Sequence, residues 1–112
     1  MTFVSLDHFF TILGNKQRVR ILQFLDREGA KGVSDISLAL NLEQSAVSHG
    51  LRELLSCHFV TVMPRGKERI YGVNEETVSP LLAQIEKHVY TYCVENCNHW
   101  ELEKDISCQI RV

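Results

Sequence analysis

The feature that most constrains the fold is a pair of short helical segments separated by a tight turn. Apolar residues recur with the period of an amphipathic helix over residues 34–40, after a candidate N-cap at Ser34, and again over residues 44–57. Asn41 lies between them, and asparagine tolerates the left-handed backbone of a tight turn. Two helices joined in this way form a helix-turn-helix, although the same spacing also fits an ordinary helical hairpin.

Two more helices precede this pair. The first is predicted over residues 3–13 and ends at Gly14. Asn15 suits the N-cap of the second, which covers residues 16–28 and stops at Gly29. In the third and fourth helices, the residues expected to face inward are Ile36, Ala39, Leu40, Val47, Leu51, Leu54 and Leu55.

The sequence period changes after the fourth helix. Residues 59–63 and 68–73 are rich in β-forming residues, and the cluster Pro64-Arg65-Gly66-Lys67 between them is typical of a turn. This pattern predicts a β-hairpin with a basic tip. A hairpin directly after a helix-turn-helix is the wing of a winged helix.

A last helix is predicted over residues 77–96, with Ser79 as its cap and Pro80 in its first turn. The expected fold class is therefore mainly α with a β-hairpin (α+β), a winged helix-turn-helix in the order α-α-α-α-β-β-α. Residues 1–96 form that domain, and residues 97–112 form a C-terminal tail.

An apolar stripe follows the last helix in a nearly heptad pattern and includes Leu82, Ile85 and Val89. A stripe of this kind on a terminal helix needs a partner surface. A second copy of the same chain would supply one, so these three residues are the expected dimer interface. The alternative is that the helix packs on its own domain.

Composition excludes several classes of protein. Apolar residues make up 45% of the chain and charged residues 23%, which is ordinary for a globular domain. No apolar run approaches the ~20 residues that cross a bilayer, and the N-terminus lacks the pattern of a signal peptide. We therefore expect a cytoplasmic protein without a membrane partner. No acid/base pair, phosphate loop or nucleophile constellation indicates an enzyme.

Three segments together resemble the arsenic-repressor (ArsR/SmtB) family. They are ILGNKQRVRILQFL, DISLALNLEQSAVSHGLRELLSCHFV and RGKERIYGVN, which match in order the family's second helix, its helix-turn-helix and its wing. The resemblance covers about residues 10–92. It implies a homodimeric winged-helix repressor that binds a double-stranded DNA operator and is released by a metal or another inducer.

The chain departs from the family pattern at both known types of inducer site. The thiolate motif of the third helix would fall at residues 32–35, where there is no cysteine. The metal site of the terminal helix would correspond to Glu75, Thr77, Lys87 and Thr91, of which only Glu75 could be a ligand. In the fourth helix, Glu43 replaces a capping hydroxyl, and Gly50 replaces a Gln or His that could contact a base.

The DNA-side residues follow from the geometry of a recognition helix, whose N-terminal half enters the major groove. Gln can pair with adenine, Ser and His can contact bases or phosphates, and basic side chains at a wing can reach the DNA backbone. The predicted DNA-binding residues are Gln44, Ser45, Ser48, His49, Arg52, Arg65, Lys67 and Arg69. With a formal net charge of -2, the chain has no global basic field. A winged-helix module that binds proteins instead of DNA therefore stays an alternative.

Four cysteines carry the remaining chemistry. Cys93 and Cys97 would share one face of a continuing helix, and His99 and Cys108 follow. Thiolates with an imidazole suit zinc, and three thiolates suit an arsenite-type thiophilic ion. A reversible disulfide is a second alternative, and an ordinary buried Cys93 is a third. Cys57 is expected to be a core thiol, or else a metal ligand shared with the tail.

Overall fold

The computed structural model describes residues 3–93, with side chains from residue 6 onward. The elements are α1 (Phe3–Leu13), α2 (Lys16–Glu28), β1 (Lys31–Gly32), α3 (Val33–Leu40), α4 (Gln44–Ser56), β2 (Val60–Arg65), β3 (Glu68–Val73) and α5 (Val78–His88), after which the chain forms a π-helical turn, Val89–Cys93. The expected α+β winged helix-turn-helix is confirmed. The chain divides into two compact units between Ser79 and Pro80.

The sheet of the wing contains a third strand that the sequence pattern does not predict. β1 pairs antiparallel with β3, which places β3 in the centre of a three-stranded sheet in the order β1-β3-β2. Lys31 lies opposite Tyr71, and Gly32 lies opposite Ile70. A strand of two residues is too short to show alternation, so no sequence period could reveal it. It ties the start of α3 to the base of the wing.

Most helix ends follow the expected capping. The Asn15 side chain accepts a hydrogen bond from the Arg18 backbone N–H at 3.0 Å, and Gly29 ends α2 with φ of 90°. Asn41 adopts the left-handed conformation with φ of 57°, as its position in the turn predicts. The prediction of Ser34 as an N-cap is wrong: α3 begins at Val33, because the backbone of Gly32 already turns from β1 into the helix.

The core of the first unit comes from the inward faces of its helices and from the base of the wing. Its buried residues are Ile12, Ile21, Leu22, Leu25, Ile36, Val47, Leu51, Leu54, Phe59, Val60, Val73 and Val78. Ala39 was expected to face inward but is exposed, while Leu40 and Leu55 are half-buried. α3 covers only eight residues and buries Ile36, so its inward stripe is narrower than the sequence pattern predicts.

The start of α5 differs from the prediction. Ser79 is not its cap, because its hydroxyl donates to the Asp26 carboxylate at 2.6 Å. Asn74 organises the turn instead. Its side-chain oxygen accepts from the backbone N–H groups of Glu76 and Thr77 at 3.2 and 3.4 Å, and its carbonyl accepts from the N–H of Val78 at 2.9 Å.

Asn74 also binds the C-terminal end of α4. Its side-chain amide donates to the His58 carbonyl at 3.0 Å, and its backbone N–H donates to the Phe59 carbonyl at 2.9 Å. His58 has φ of 61° and closes a Schellman cap, in which Phe59 N–H bonds to the Leu54 carbonyl and His58 N–H bonds to the Leu55 carbonyl. A single asparagine therefore joins the end of α4 to the turn that begins α5.

We expect Asn74→Ala to lower the free energy of unfolding by about 1–2 kcal/mol, since it removes both side-chain functions. Asn74→Asp keeps the acceptor for Glu76 and Thr77 but loses the donor to His58, so its effect should be smaller. Urea unfolding of the three proteins measures the order. Equal destabilisation by both substitutions would show that the amide donor carries the whole effect, contrary to this account.

Candidate nucleic-acid interface

Helix α4 has one buried face and one accessible face. Val47, Gly50, Leu51 and Leu54 are buried. The predicted DNA-binding residues of this helix occupy the other side: Gln44, Ser45, His49 and Arg52 are exposed, and Ser48 is half-buried. These five positions recur at the helical period, so the structure brings them together on one outward-facing surface.

The turn before α4 is closed by Ser37. Its carbonyl accepts from the Leu42 backbone N–H at 3.0 Å, and its hydroxyl donates to the Leu42 carbonyl at 2.5 Å. The side chain of Glu43 makes no capping hydrogen bond. Instead, the Gln44 side-chain amide donates to the Ser34 hydroxyl at 3.3 Å, which connects the start of α4 to the first turn of α3.

Gly50 lies on the inner face of α4, and this corrects its interpretation from the sequence. The sequence pattern indicates that a base-reading side chain is missing at this position. The structure shows Gly50 buried against α2, where a Cβ atom would stand 3.2 Å from Ile21 Cδ1 and 3.7 Å from Arg18 Cγ. A side chain at position 50 would therefore point into the helix–helix contact and not toward a ligand on the outer face.

The wing ends in a two-residue loop, Gly66-Lys67, between the cross-strand pair Arg65 and Glu68. The expected four-residue turn is wrong, because Pro64 and Arg65 belong to β2. Gly66 has φ of 62°, as the first loop residue of a type II′ turn requires.

Arg65, Lys67 and Arg69 are all exposed, but they do not form one patch. Arg69 lies opposite Pro64, one position along from the pair of Arg65 and Glu68. Because successive side chains in a strand alternate between faces, Arg65 and Arg69 stand on opposite faces of the wing. Lys67 is at the tip. Glu68, beside Arg65 across the strands, offsets part of the positive charge on that face.

Two arginines of α2 bind the ends of α1 and α3 through hydrogen bonds. The sequence pattern predicts no role for either of them. The Arg18 guanidinium donates to the Ile12 and Thr11 carbonyls at 2.6 and 3.2 Å, at the end of α1. Arg20 donates to the Leu40 carbonyl, at the end of α3, at 3.4 Å. Terminal helix carbonyls attract such donors, but the sequence alone gives no indication of which helix end each arginine reaches.

Of the predicted metal ligands, only Cys93 lies within the described residues. Cys57 and Cys93 are free, half-buried thiols, while Cys97, His99 and Cys108 lie outside the described residues. Within residues 3–93, no three His, Cys, Asp or Glu side chains form a group that could hold a metal ion. The described part therefore offers no donor set for the metal that the family resemblance implies.

The dimer residues differ in exposure. Leu82 is 5% exposed, Ile85 is 37% exposed, and Val89 is half-buried at the start of the π-helical turn. Tyr90 and Tyr92 in that turn are exposed. The described helices include none that is both long and apolar enough to span a membrane.

The middle of the chain matches a known family. Residues 15–62, from the cap of α2 into β2, match the model described as "Bacterial regulatory protein, arsR family". The matched segment contains the whole helix-turn-helix and the first three residues of β2.

Two curated relatives support the match. The chain is 31% identical over 85 residues to the transcriptional repressor SmtB homolog of Synechocystis sp.. That alignment covers 76% of this chain and 64% of the relative. It is 36% identical over 76 residues to the HTH-type transcriptional regulator NmtR of Mycobacterium tuberculosis. That alignment covers 68% of this chain and 62% of the relative. The chain thus spans a little under two thirds of either relative.

A solved structure shares the fold. The homodimeric winged helix-turn-helix DNA-binding domain of a possible ArsR-family regulator from Mycobacterium bovis superposes with a TM-score of 0.75. The superposition covers 80% of this chain and 82% of that domain at 23% identity.

Proposed function

We propose, from the premise that this chain belongs to the arsR family of bacterial regulatory proteins, that it binds operator DNA as a homodimer and represses transcription. The observation that carries the proposal is the two-sided α4. Its inner face is buried, and its outer face presents polar and basic side chains at helical spacing. The relatives are transcriptional regulators, and the described chain gives no reason to propose an enzyme.

The outer face of α4 supplies groups that can read bases. An amide such as that of Gln44 can form a bidentate pair with adenine, and Ser45, Ser48 and His49 can donate to or accept from base edges. Arg52 lies one turn beyond His49, where a recognition helix leaves the groove, so its role is to bind a phosphate. Gln44 would exchange its bond to Ser34 for the base, and both of these side chains are already exposed.

The wing supplies contacts that do not depend on sequence. Lys67 at the tip and Arg65 beside it are exposed and can neutralise phosphates. Arg69 stands on the other face of the wing, so a duplex that lies against Arg65 does not lie flat against Arg69. We therefore assign the main phosphate contacts to Arg65 and Lys67, with Arg69 in a secondary position.

A second copy of the chain is the proposed partner of the apolar residues that the single chain leaves exposed. Leu6 and Phe10 of α1 are 44% and 59% exposed, and Ile85 of α5 is 37% exposed. Large apolar side chains that stay exposed on a helix are typical of an interaction surface, and this holds for α1 and α5 separately. The Mycobacterium bovis domain with this fold is homodimeric. Leu82 is buried within the chain, so Ile85 and Val89 are the better test of the interface.

The protein-interaction module is the second candidate, and one observation now weighs less in its favour. The sequence suggests that Gly50 weakens the DNA-binding surface by removing a side chain. Because Gly50 faces α2, its missing side chain removes no group from the outer face of α4. The net charge of -2 stays as the argument for this alternative. The two functions differ in salt dependence, because binding through phosphates must weaken as salt is raised.

We also propose that an inducer acts through Cys93, Cys97 and Cys108, with His99 as a further ligand. This rests on the sequence, which lacks thiols at residues 32–35 and lacks ligands at Thr77, Lys87 and Thr91. A thiophilic ion such as zinc or arsenite, or a disulfide, would reorganise the chain just beyond α5. Movement of paired terminal helices would change the distance between the two recognition helices, and half-site spacing is geometrically strict.

Arg65→Ala with Lys67→Ala should weaken binding to random-sequence duplex DNA and flatten its salt dependence, by a slope of about 0.9 for each phosphate that is no longer neutralised. Fluorescence anisotropy at several salt concentrations measures the slope. Arg27→Ala with Lys87→Ala removes the same charge from exposed residues of α2 and α5, outside the predicted DNA-binding set, and it should leave the slope unchanged. If the parent protein binds no duplex at low salt, the interaction module is the better account of this chain.

Ile85→Glu with Val89→Glu should yield monomers, because two carboxylates cannot be buried unpaired in an apolar interface. Sedimentation velocity measures the mass. Gln84→Glu with Lys87→Ala makes the same net change in charge at exposed positions of the same helix and should stay dimeric. A dimer of unchanged mass in the first variant would contradict the assigned interface.

The triple variant Cys93→Ser, Cys97→Ser, Cys108→Ser should bind duplex DNA like the parent but should no longer be released by zinc, arsenite or a thiol oxidant. Cys57→Ser is the matched control and should respond as the parent does. Binding is measured with and without each agent, and reductant should reverse the effect of the oxidant. Release of the triple variant by the same agents would show that these cysteines are structural.

A further inference from the structure

We infer that Gly50 is a positioning residue. The absence of a side chain at this position sets how closely α4 packs on α2. The packing in turn sets where Ser48 and His49 lie on the outward-facing surface of α4. The inference deepens the proposed function and rests on it. An ideal Cβ at position 50 would lie 3.2 Å from Ile21 Cδ1. Carbon atoms pack at about 3.5–4.0 Å, so even a methyl group needs a displacement here.

The neighbours in α2 have little freedom to give way. Ile21 is fully buried, so its side chain has no solvent to move into. Arg18 Cγ would be 3.7 Å from the added carbon, and the guanidinium beyond it already donates to the carbonyls of Ile12 and Thr11. The contact with Arg18 is an ordinary van der Waals distance and needs no adjustment, but a shift of the whole of α2 to relieve Ile21 would disturb the hydrogen bonds from Arg18 to the end of α1.

Both ends of α4 are fixed as well. The turn before it is closed by the paired hydrogen bonds of Ser37 and Leu42. Its last turn is closed by the Schellman cap at His58 and by the side chain of Asn74. A group inserted at the middle of a helix that is held at both ends bends or rotates the segment beside it, and that segment carries Ser48 and His49.

Base readout is more sensitive to such a displacement than phosphate binding is. Hydrogen bonds to base edges require donor–acceptor distances within about half an ångström of their optimum. Long basic side chains such as Arg65 and Lys67 can follow a phosphate over a larger range because their stems are flexible. Filling the space at Gly50 should therefore reduce discrimination between sequences before it reduces affinity for DNA in general.

The experiment compares the parent with Gly50→Ala, Ile21→Val and the double variant. Ile21→Val removes Cδ1, the atom that the new methyl group would meet, and Ile21 lies in α2, outside the predicted DNA-binding set. Each protein is titrated with a duplex selected by the parent from a random pool, and with the unselected pool. Urea unfolding establishes that each variant is folded and gives the coupling between the two substitutions.

Gly50→Ala should reduce the preference for the selected duplex over the pool about tenfold, which is roughly the worth of one good base contact, while its affinity for the pool stays close to that of the parent. Ile21→Val alone should keep the parental preference, and the double variant should recover most of the preference that Gly50→Ala removes. Parental preference in Gly50→Ala, or a double variant no better than Gly50→Ala, overturns the inference. A parent that binds no duplex is instead the failure of the proposed function.

Discussion

The contact between α2 and α4 is the constraint on which the rest of the described structure depends. Ile21, Leu22 and Leu25 of α2 are buried, and so is the inner stripe of α4. Full burial of one such aliphatic side chain contributes about 1.5–3 kcal/mol, so the apolar stripes decide which faces meet. Because the inner face of α4 is buried, only its outer face is accessible to a binding partner. Arg18 and Arg20 of the same helix donate hydrogen bonds to the ends of α1 and α3. Helix α2 therefore aligns α1, α3 and α4.

The charge distribution determines how such a surface can bind DNA. A chain with net charge -2 exerts no long-range attraction on a polyanion, and exposed charges are screened beyond about 8–10 Å at physiological salt. Under the proposed function, attraction must therefore come from the few basic residues that would reach the duplex. The wing is suited to this because its two-residue loop places Lys67 at the tip, with Arg65 directly before the loop. If this proposed mode of binding holds, the small number of contacts also means that geometry, more than total charge, would separate one duplex from another.

The parts of this structure that could be predicted from sequence are those with local causes. Asn15, Gly29 and Asn41 set helix ends through their own backbone or side-chain chemistry, and the outward positions of α4 follow from its period. The parts that were missed have causes elsewhere in the chain. Strand β1 exists because β3 offers it an edge, Asn74 acts on a carbonyl sixteen residues earlier, and the direction of Gly50 depends on α2. Contacts between distant segments leave no period in the sequence, so a pattern of residue types could not reveal them.

The helical period changes at the end of α5, where the α-helix becomes a π-helical turn. Residue spacing therefore predicts a shared face only up to that point. Leu82, Ile85 and Val89 recur every three or four residues, and this spacing predicts a single stripe as long as the helix keeps its α period. From Val89 to Cys93 the chain is π-helical, with hydrogen bonds from each residue to the fifth one along. This wider turn moves later side chains off the original stripe: Tyr92 is 68% exposed, while Cys93 is half-buried. Cys97 lies outside the described residues, so the proposed relation between Cys93 and Cys97 rests on the chemistry of thiols. π-helical turns of this kind are frequent at functional sites.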